Sequence, residues 1–347
     1  MLAAAARIAD PADPLGRRAR AELPRTTGLS PEGVELALRE HLEVGPTDRE
    51  LGALARRTPV VARTHLVLAS TVFVAPARAV ALAVLEAPRV ALRPSRREPA
   101  FPALLVAAAP DLCALVDEID AAPGDHVHVF GADEAQRALR LAQPPGVRFH
   151  AHGPGLGVAV VEAEHFPARG RDHALGRVAR ALAADVVPFD QRGCLSPRMA
   201  LFVGCAADAE HFARALARAL AELEQRVPRG ELAPAEAAEA ARFRDTMTYA
   251  AQLWPAGRGA VSLATARDPL PIVPPVGRYL HVTVCGAGLE PLAPLRPLVT
   301  SVGVAAGLEL RARLARELPS ARVVPLGTMQ RPPLDGHVDR RVRPETL

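Results

Sequence analysis

The sequence predicts an α/β fold with parallel strands, and three observations support this. A near-continuous apolar run at residues 66–69 is followed by a helical pattern at 77–85 and a second apolar run at 90–92. That order is typical of a βαβ unit, because parallel strands are covered on both faces and are apolar throughout. A strand at 127–131 ending in Gly131, followed by a helix at 132–141, continues the alternation. At 347 residues the chain is long enough for two domains.

Pro and Gly residues divide the first half of the chain into shorter segments. Residues 1–58 carry short helical patterns interrupted by Pro and Gly, with Leu36, Leu38 and Leu42 as candidate core residues, and we expect them to pack on the first domain. Residues 102–115 have an apolar helical face, which places Cys113 on a helix. Residues 148–157 are expected to form a Gly-rich loop before a strand at 158–161.

The second half continues the alternation of helices and strands. The patterns predict helices at 172–184, 207–223 and from 235 to about 253, strands at 201–204 and 280–285, and a strand and turn over 322–330. Apolar residues at helical spacing predict another helix within 292–306. Cys205 and Cys285 are expected to be buried thiols on or beside strands.

Composition excludes several classes of protein. Hydrophobic residues make up 49% of the chain, so it is globular. A net charge of +4 and 3% aromatic residues do not indicate a nucleic-acid-binding surface. The four Cys lack metal-ligand spacing and indicate a reducing cytoplasm. The first residues do not form a signal-peptide pattern, and the apolar region 65–92 is too interrupted to span a membrane.

One cysteine has unusual neighbours. Cys194 follows Gly193 and precedes Ser196-Pro197, a pair suited to the start of a helix. A thiol at a helix N-terminus is more easily ionised, and the free N–H groups there could hold an oxyanion. The sequence therefore makes Cys194 a candidate nucleophile, with a small buried structural thiol as the alternative.

Residues 188–197 (PFDQRGCLSP) resemble the nucleophile segment of the long-chain acyl-CoA reductases. These belong to the aldehyde dehydrogenase superfamily and include the reductase of the bioluminescence fatty-acid reductase complex. A second match lies at 322–336, where a strand and Gly327 precede Asp335-Gly336. Weaker similarity runs from about residue 60 to the C-terminus.

The resemblance implies an aldehyde dehydrogenase-like fold: a Rossmann-like cofactor domain and an α/β catalytic domain, with the cleft between them. We assign residues 1–164 to the cofactor domain (1–58 being its helical part), 165–320 to the catalytic domain and 321–347 to a C-terminal strand and turn. The implied activity is reduction of an acyl-CoA to the aldehyde by NADPH, through an acyl thioester on Cys194.

Candidate cofactor contacts follow from the same resemblance. Arg93-Pro94-Ser95 resembles the superfamily's Lys-Pro-Ser, whose Lys contacts the adenosine ribose. Arg93 and Arg96 would suit a 2′-phosphate by bidentate donation, which favours NADP(H) over NAD(H). The alternative is a solvated basic loop. Gly131, between a strand and a helix, and Gly153 are the positions where backbone could approach the cofactor.

Two catalytic positions differ from the superfamily pattern. Thr71, or its neighbour Ser70, stands where an Asn commonly helps to hold the oxyanion, and a hydroxyl can donate one such bond. Aldehyde-oxidising relatives carry a Glu-Gly-Gly near residues 150–153, whose Glu activates water. Here His150 and His152 are nearest. Loss of that base fits a reductase, and His152 is a candidate proton donor, with a structural loop His as the alternative.

Other interpretations stay open at this stage. The departures at Thr71, Arg93 and His152 are compatible with a non-catalytic scaffold subunit of an acyl-processing complex. An acyl phosphate in place of the thioester would change only the leaving group. The acyl donor could be acyl-CoA or an acyl-carrier or acyl-transferase protein, and the superfamily's assemblies make a homo-oligomer possible. No metal site is predicted.

Overall fold

The computed structural model describes residues 1–55, 61–264, 271–336 and 338. These residues form two compact units, the first from residues up to 154 together with 333–336, the second from 155–332 together with 338. Parts of the predicted N-terminal helical region (56–58) and of the predicted C-terminal segment (337 and 339–347) lie outside the described residues.

The first unit begins with helices and continues as alternating strands and helices. Its elements are α1 Leu2–Ala9, α2 Pro14–Thr27, α3 Pro31–Glu40, α4 Asp48–Leu54, β1 Thr64–Val67, α5 Ala75–Ala83, β2 Val90–Arg93, α6 Ala100–Ala108, β3 Cys113–Leu115, β4 His126–Phe130, α7 Asp133–Leu141 and β5 Arg148–His152.

Local signals explain where the N-terminal helices begin. The Asp13 carboxylate accepts from the Leu15 N–H at 2.8 Å, and the Ser30 hydroxyl accepts from the Gly33 N–H at 3.0 Å, each just before a Pro at the first helical position. Helices α1 and α2 pack on α6, as expected for an accessory layer of the first domain. Leu38 and Leu42 are buried, while Leu36 is half-buried.

The first sheet is parallel, as predicted. Within the described part of the first unit its five strands lie in the order β3-β2-β1-β4-β5. The chain runs outward from β1 to β3 and then crosses to the other side, which is the arrangement of a Rossmann-like sheet. The loops after β1 and β4 therefore lie beside each other at the carboxyl edge, where this class of fold binds ligands.

Two predictions for the first unit are wrong. The helix expected over 102–115 ends at Ala108, because Pro110 disfavours helical geometry at Ala109, and Cys113 then lies on strand β3. The loop expected at 148–157 contains strand β5, so His150 and His152 are strand residues. Strand β5 is half-buried and polar, which is why the sequence does not mark it as a strand.

The second unit contains a longer sheet with helices packed against it. Its strands are β6 Leu156–Glu162, β7 Pro197–Val203, β8 Gln252–Ala256, β9 Gly259–Ala264, β10 Tyr279–Cys285, β11 Val299–Ala305 and β12 Arg322–Pro325. Its helices are α8 Arg171–Val186, α9 Ala206–Arg226, α10 Pro234–Ala250 and α11 Leu308–Glu317, with 3₁₀ turns at Ala163–His165, Pro188–Gln191 and Glu290–Leu298.

Strand order in this unit is β12-β11-β6-β7-β10-β9-β8 across the described residues. The neighbours pair in parallel except for the hairpin of β8 and β9. The amphipathic pattern of α9 buries Phe212, Leu216 and Leu220, and this helix packs on α8 and on β8, β9 and β10. The α/β class with parallel sheets is thus confirmed in both units.

Several boundaries in the second unit differ from expectation. Residues 292–306 hold a Pro-containing 3₁₀ turn and strand β11, since Pro294 and Pro297 cannot sustain an α-helix. Strand β11 is buried on both faces, so its apolar residues show no alternation. The helix expected to reach residue 253 ends at Ala250 and is followed by β8.

The division of the chain also differs from the assigned boundaries. Residues 155–164 were assigned to the first domain, but strand β6 pairs with β7 and β11 of the second sheet. Residues 322–325 were assigned to a separate segment, but strand β12 pairs with β11. Residues 333–336 group with the first unit, where the Arg78 guanidinium donates to the carbonyls of Pro333 and Gly336 at 2.6 Å each.

Candidate active site

Cys194 lies in a tight turn before strand β7 and is half-buried. The Ser196 N–H donates to the Gly193 carbonyl at 3.0 Å, so Cys194 is the second residue of a β-turn. Because Pro197 begins a strand, the helix start predicted at Ser196 is wrong, and so is the helix-dipole effect on Cys194. A proline is tolerated at the first residue of a strand as well as at the first residue of a helix, so Ser196-Pro197 is compatible with either start.

Backbone contacts hold this turn closely against strand β6. The Gly157 N–H donates to the Ser196 carbonyl at 2.9 Å. A Cβ on Gly157 would lie 2.4 Å from the Leu195 carbonyl oxygen and 2.9 Å from the Pro197 nitrogen. Only glycine permits that approach, so Gly157 positions the turn that carries the cysteine.

A buried hydroxyl fixes the backbone at the cysteine itself. Thr300, on β11, is fully buried, and its Oγ1 shares one proton between the Cys194 carbonyl and the Leu156 carbonyl, the latter at 3.1 Å. The sequence contains no local sign of this contact, because Thr300 and Cys194 come from distant parts of the chain.

The segment before Cys194 has an unusual backbone. Phe189, Asp190 and Gln191 adopt φ values of 56°, 50° and 67°, a left-handed conformation that costs a residue with a side chain about 1–3 kcal/mol. Such geometry persists only where surrounding contacts determine it. Three consecutive residues of this kind, ending three residues before Cys194, need strong anchors.

Asp190 is anchored by a buried ion pair. Its Oδ1 accepts from Nε and Nη2 of Arg278 at 3.0 and 2.8 Å, and its Oδ2 accepts from the Gly230 N–H at 2.9 Å. The Arg278 Nη1 donates to Oε2 of Glu224 at 2.8 Å. Asp190 and Arg278 are both about fully buried, and Nη1 of Arg192 lies 3.6 Å from Oδ2 of Asp190, so the pair is the centre of a buried charge network.

Gln191 ties the segment to two strands. Its Nε2 donates to the carbonyls of Pro197 and Tyr279 at 2.7 and 2.8 Å, and its Oε1 accepts from the Tyr279 N–H at 3.0 Å. These bonds join the first residues of β7 and β10 across the turn that holds Cys194. Sequence reasoning used Asp190 and Gln191 only as part of a motif and missed their positioning role.

Ser196 belongs to a second buried network. Its Oγ accepts from Nε2 of Gln330 at 3.0 Å. The neighbouring Asp185 carboxylate accepts from the N–H groups of Gly327 and Met329 at 2.6 and 2.9 Å. Burial outweighs these bonds and raises the pKa of Asp185 to about 6. The 322–336 segment, recognised by resemblance alone, thus contacts the turn that carries Cys194.

The other thiols differ from Cys194 in exposure. Cys113 and Cys285 are buried, and burial raises their pKa values to about 11 and about 12. Cys205 is exposed, contrary to expectation, because it is the N-cap of α9, where its Sγ accepts from the Asp208 N–H at 3.4 Å.

The remaining predicted site residues all belong to the first unit, and the parallel sheet brings them to one edge. Each lies at or just after the carboxyl end of a strand: Thr71 after β1, Arg93, Ser95 and Arg96 at the end of β2, Gly131 after β4, and His152 and Gly153 at the end of β5. Thr71 and Arg96 are exposed, and Arg93 and Ser95 are half-buried. Cys194 is in the second unit.

The backbone at this edge is open beside Gly131. A Cβ on Gly131 would meet no atom of the described residues within 4 Å, and the Gly131 N–H donates to the His152 carbonyl at 3.2 Å. Helix α7 starts two residues later without a side-chain cap. This edge can therefore admit a ligand phosphate near a helix N-terminus, although Asp133 and Glu134 occupy the first turn.

His152 does not stand alone on its strand. Its Nε2 is 3.2 Å from Nδ1 of His128, and its ring stacks on Phe130 with centroids 4.4 Å apart. His150, two residues earlier on the same face, has its pKa lowered to about 4 by burial. The sequence did not reveal this grouping, because it depends on the register of β4 and β5.

A family model described as acyl-CoA reductase (LuxC) matches residues 113–339. No curated protein sequence matches the chain. Similar solved structures include an oxidoreductase from Marinobacter aquaeolei, with TM-score 0.67 and 14% identity, covering 95% of this chain and 78% of the other. An NAD-dependent aldehyde dehydrogenase from Sinorhizobium meliloti has TM-score 0.62 and 18% identity, covering 93% and 78%.

An NAD-dependent benzaldehyde dehydrogenase from Corynebacterium glutamicum has TM-score 0.65 and 13% identity, covering 93% of this chain and 80% of the other. At these identities the likeness shows the fold, and it confirms the aldehyde dehydrogenase-like fold predicted from the sequence. Across the described residues no helix combines the length and apolar character needed to cross a bilayer.

Proposed function

Since the chain belongs to the acyl-CoA reductase (LuxC) family and is an oxidoreductase of that kind, we propose that it reduces a fatty acyl-CoA to the aldehyde with NADPH, through an acyl thioester on Cys194. The observation that carries the proposal is the way in which buried contacts hold the turn at residues 193–196, which contains Cys194. A half-buried thiol stands on a backbone held by buried contacts from Asp190, Gln191 and Thr300.

The first step needs only residues of the chain. The Cys194 thiolate attacks the thioester carbonyl, a new C–S bond forms to Cys194, and the bond to the CoA sulfur breaks with release of the CoA thiolate. Fixing the turn lowers the entropic cost of bringing sulfur and carbonyl together. Asp190 and Gln191 act through the backbone that carries Cys194, so we propose them as positioning residues.

A nicotinamide dinucleotide fits the residues at the carboxyl edge of the first sheet. The open space at Gly131 leaves room for a phosphate, and Arg93 and Arg96 are bidentate donors at the end of β2. Two similar structures are named as NAD-dependent enzymes, which supports this class of cofactor. When bound, the cofactor supplies the hydride that converts the acyl group to the aldehyde. The guanidinium groups favour NADPH through its 2′-phosphate.

Three more residues carry proposed roles. We propose that Thr71 donates a hydrogen bond to the oxyanion, that His152 gives a proton to the departing CoA thiolate, and that the backbone at Gly153 contacts the cofactor. The roles of Thr71 and His152 predict a fall in turnover for Thr71→Val and His152→Gln with little change in NADPH affinity. Arg93→Ala and Arg96→Ala should instead weaken NADPH binding more than NADH binding.

The first unit is the proposed cofactor domain and the second the proposed catalytic domain. The acyl donor is free acyl-CoA in this proposal, with an acyl-carrier or acyl-transferase protein as the other source of the same acyl group. Rates of NADPH oxidation with acyl-CoAs of graded length, and with an acylated carrier protein, would distinguish these donors and give the preferred chain.

The decisive experiment is mass measurement of the denatured protein after incubation with acyl-CoA in the absence of cofactor. One acyl mass on the peptide containing Cys194 is expected, lost in Cys194→Ala and kept in Cys205→Ala. The Cys205 variant is the matched control, since that thiol is exposed and lies outside the turn. Absence of acylation on Cys194, with NADPH oxidation still present, would reject the thioester route.

A further inference from the structure

Three histidines meet on one face of the first sheet. His126 and His128 are two residues apart on β4, and His128 is in register with His150 on β5, so all three side chains point to the same side. One ligand atom from each lies within 4.8 Å of the others. Ring centroids of His128 and His150 are 4.3 Å apart, and those of His126 and His150 are 4.9 Å apart. We refer to these three residues as the histidine cluster.

A carboxylate faces the histidine cluster. Oε2 of Glu86, which follows α5, lies 3.4 Å from Nε2 of His128 and 3.5 Å from Nδ1 of His126. These separations are longer than a good N–H···O bond. They agree with the distance of about 3.3–3.4 Å between ligand atoms around a tetrahedral zinc ion with bonds of about 2.0–2.1 Å.

The polar atoms of this group are buried and unsatisfied. His126 is 6% exposed, and neither of its ring nitrogens forms a hydrogen bond to the described residues. The same holds, among those residues, for Nε2 of His128, Nε2 of His150 and Oε2 of Glu86. Buried polar atoms are normally paired, so five such atoms in one place indicate a missing ligand.

A second contact orients one of the rings. Nδ1 of His128 is 3.2 Å from Nε2 of His152, which leaves Nε2 of His128 directed toward Glu86. Metal-binding histidines are usually held in this way, with the second ring nitrogen hydrogen-bonded to another group. Nδ1–H of His128 then donates to His152, and Nε2 keeps its lone pair for a metal.

We propose that His126, His128 and His150 bind a divalent transition-metal ion, with Glu86 as the fourth ligand and Zn²⁺ as the occupant. Imidazole nitrogens suit such ions, and three neutral imidazoles with one carboxylate complete a tetrahedral shell, as in closed structural sites. The ion would join the edge strand β5 to β4 and to the segment after α5. Metal binding does not depend on the proposed reductase chemistry, and His152 is the one residue that the two proposals share.

The test begins with metal content. Tag-free protein is equilibrated with Zn²⁺, passed through a desalting column and measured by plasma mass spectrometry. About one Zn²⁺ per chain is expected in the wild type, and much less in His126→Gln and in His150→Gln. His173→Gln is the matched control, because His173 is exposed on α8 of the second unit and should leave binding unchanged. Equal zinc in the wild type and in both cluster variants would assign the metal to other groups and overturn the proposal.

A measurement on the wild type alone covers the possibility that the cluster variants do not fold. Co²⁺ should give the visible absorption of a tetrahedral nitrogen-and-oxygen site, displaced by one equivalent of Zn²⁺, and Zn²⁺ should raise the melting temperature. His152→Ala should weaken metal binding by about tenfold or more through the lost contact to His128. Folded wild-type protein that binds neither Co²⁺ nor Zn²⁺ would refute the site.

Discussion

Arg278 and Asp190 are 88 residues apart in the sequence, yet Nη2 of Arg278 lies 2.8 Å from Oδ1 of Asp190, with both side chains about 2% exposed. The pair stabilises a left-handed backbone segment four residues before Cys194. Within the second unit, the placement of the candidate nucleophile therefore depends on a buried ion pair to Arg278, in the turn just before strand β10.

Arg278→Met should destabilise the protein by about 3–5 kcal/mol, because it removes the guanidinium that pairs with the buried carboxylates of Asp190 and Glu224 and leaves Asp190 only the more distant Arg192 guanidinium, at 3.6 Å. Urea unfolding measures this change, and acylation of Cys194 should fall with it. Arg296→Met is the control: its ion pair with Glu317, with side chains 46% and 34% exposed, lies at the surface and should be worth less than about 1 kcal/mol. Equal effects of the two variants would show that the buried pair does not hold the segment.

Gly157→Ala should lower stability by about 1–3 kcal/mol and slow acylation of Cys194, because its Cβ would overlap the Leu195 carbonyl oxygen. Backbone atoms cannot move aside as a flexible side chain can, so the turn must shift. The control is Gly176→Ala in α8, where a Cβ meets no described atom within 4 Å and should be neutral or stabilising by up to about 1 kcal/mol. A Gly157→Ala protein with wild-type melting and acylation rates would contradict the close contact.

Thiol alkylation should divide the four cysteines into two pairs. Cys194 and Cys205 should react with iodoacetamide in the folded protein at neutral pH, since they are half-buried and exposed. Cys113 and Cys285 should resist, because burial shields them and raises their pKa values to about 11 and about 12. Peptide mass mapping reads this out, with urea-unfolded protein as the control in which all four react. Rapid labelling of Cys285 in the folded state would be inconsistent with its position in β10.

His281 should make the protein less stable in mild acid. It is fully buried on β10, with Nδ1 2.8 Å from the Ser262 hydroxyl, and burial lowers its pKa from 6.5 to about 4. Between pH 6.5 and 4 the unfolded chain therefore binds a proton that the folded chain does not. The free energy of unfolding consequently decreases as the pH is lowered from 6.5 to 4.

Titration of His281 lowers the free energy of unfolding by at most about 3 kcal/mol, a limit set by the difference between its pKa in the unfolded and the folded chain. The variant His281→Asn keeps a polar group near Ser262 but does not titrate, so its melting temperature should depend less on pH between 6.5 and 4. Melting curves across that range measure the difference. Parallel pH profiles for the two proteins would exclude His281 as the titrating group.

Much of the fold could be read from local patterns. The apolar runs of β1, β2 and β4 and the helices between them predicted a parallel sheet, and the segment around Cys194 indicated the reductase family. Errors arose where one pattern suits two structures. Ser196-Pro197 can begin a helix or a strand, and the apolar spacing over 292–306 is also that of a strand buried on both faces.

The sequence by itself determined the class of fold, the order of most elements and the segment that carries the candidate nucleophile, since these follow from local apolar spacing, turn residues and an unbroken motif. Only the tertiary structure decided that Arg278 meets Asp190, that Gly157 contacts the Cys194 turn and that the histidines of β4 and β5 share a face. The reason is that strand register and long-range packing select which polar groups meet, and neither is encoded in the residues next to them along the chain.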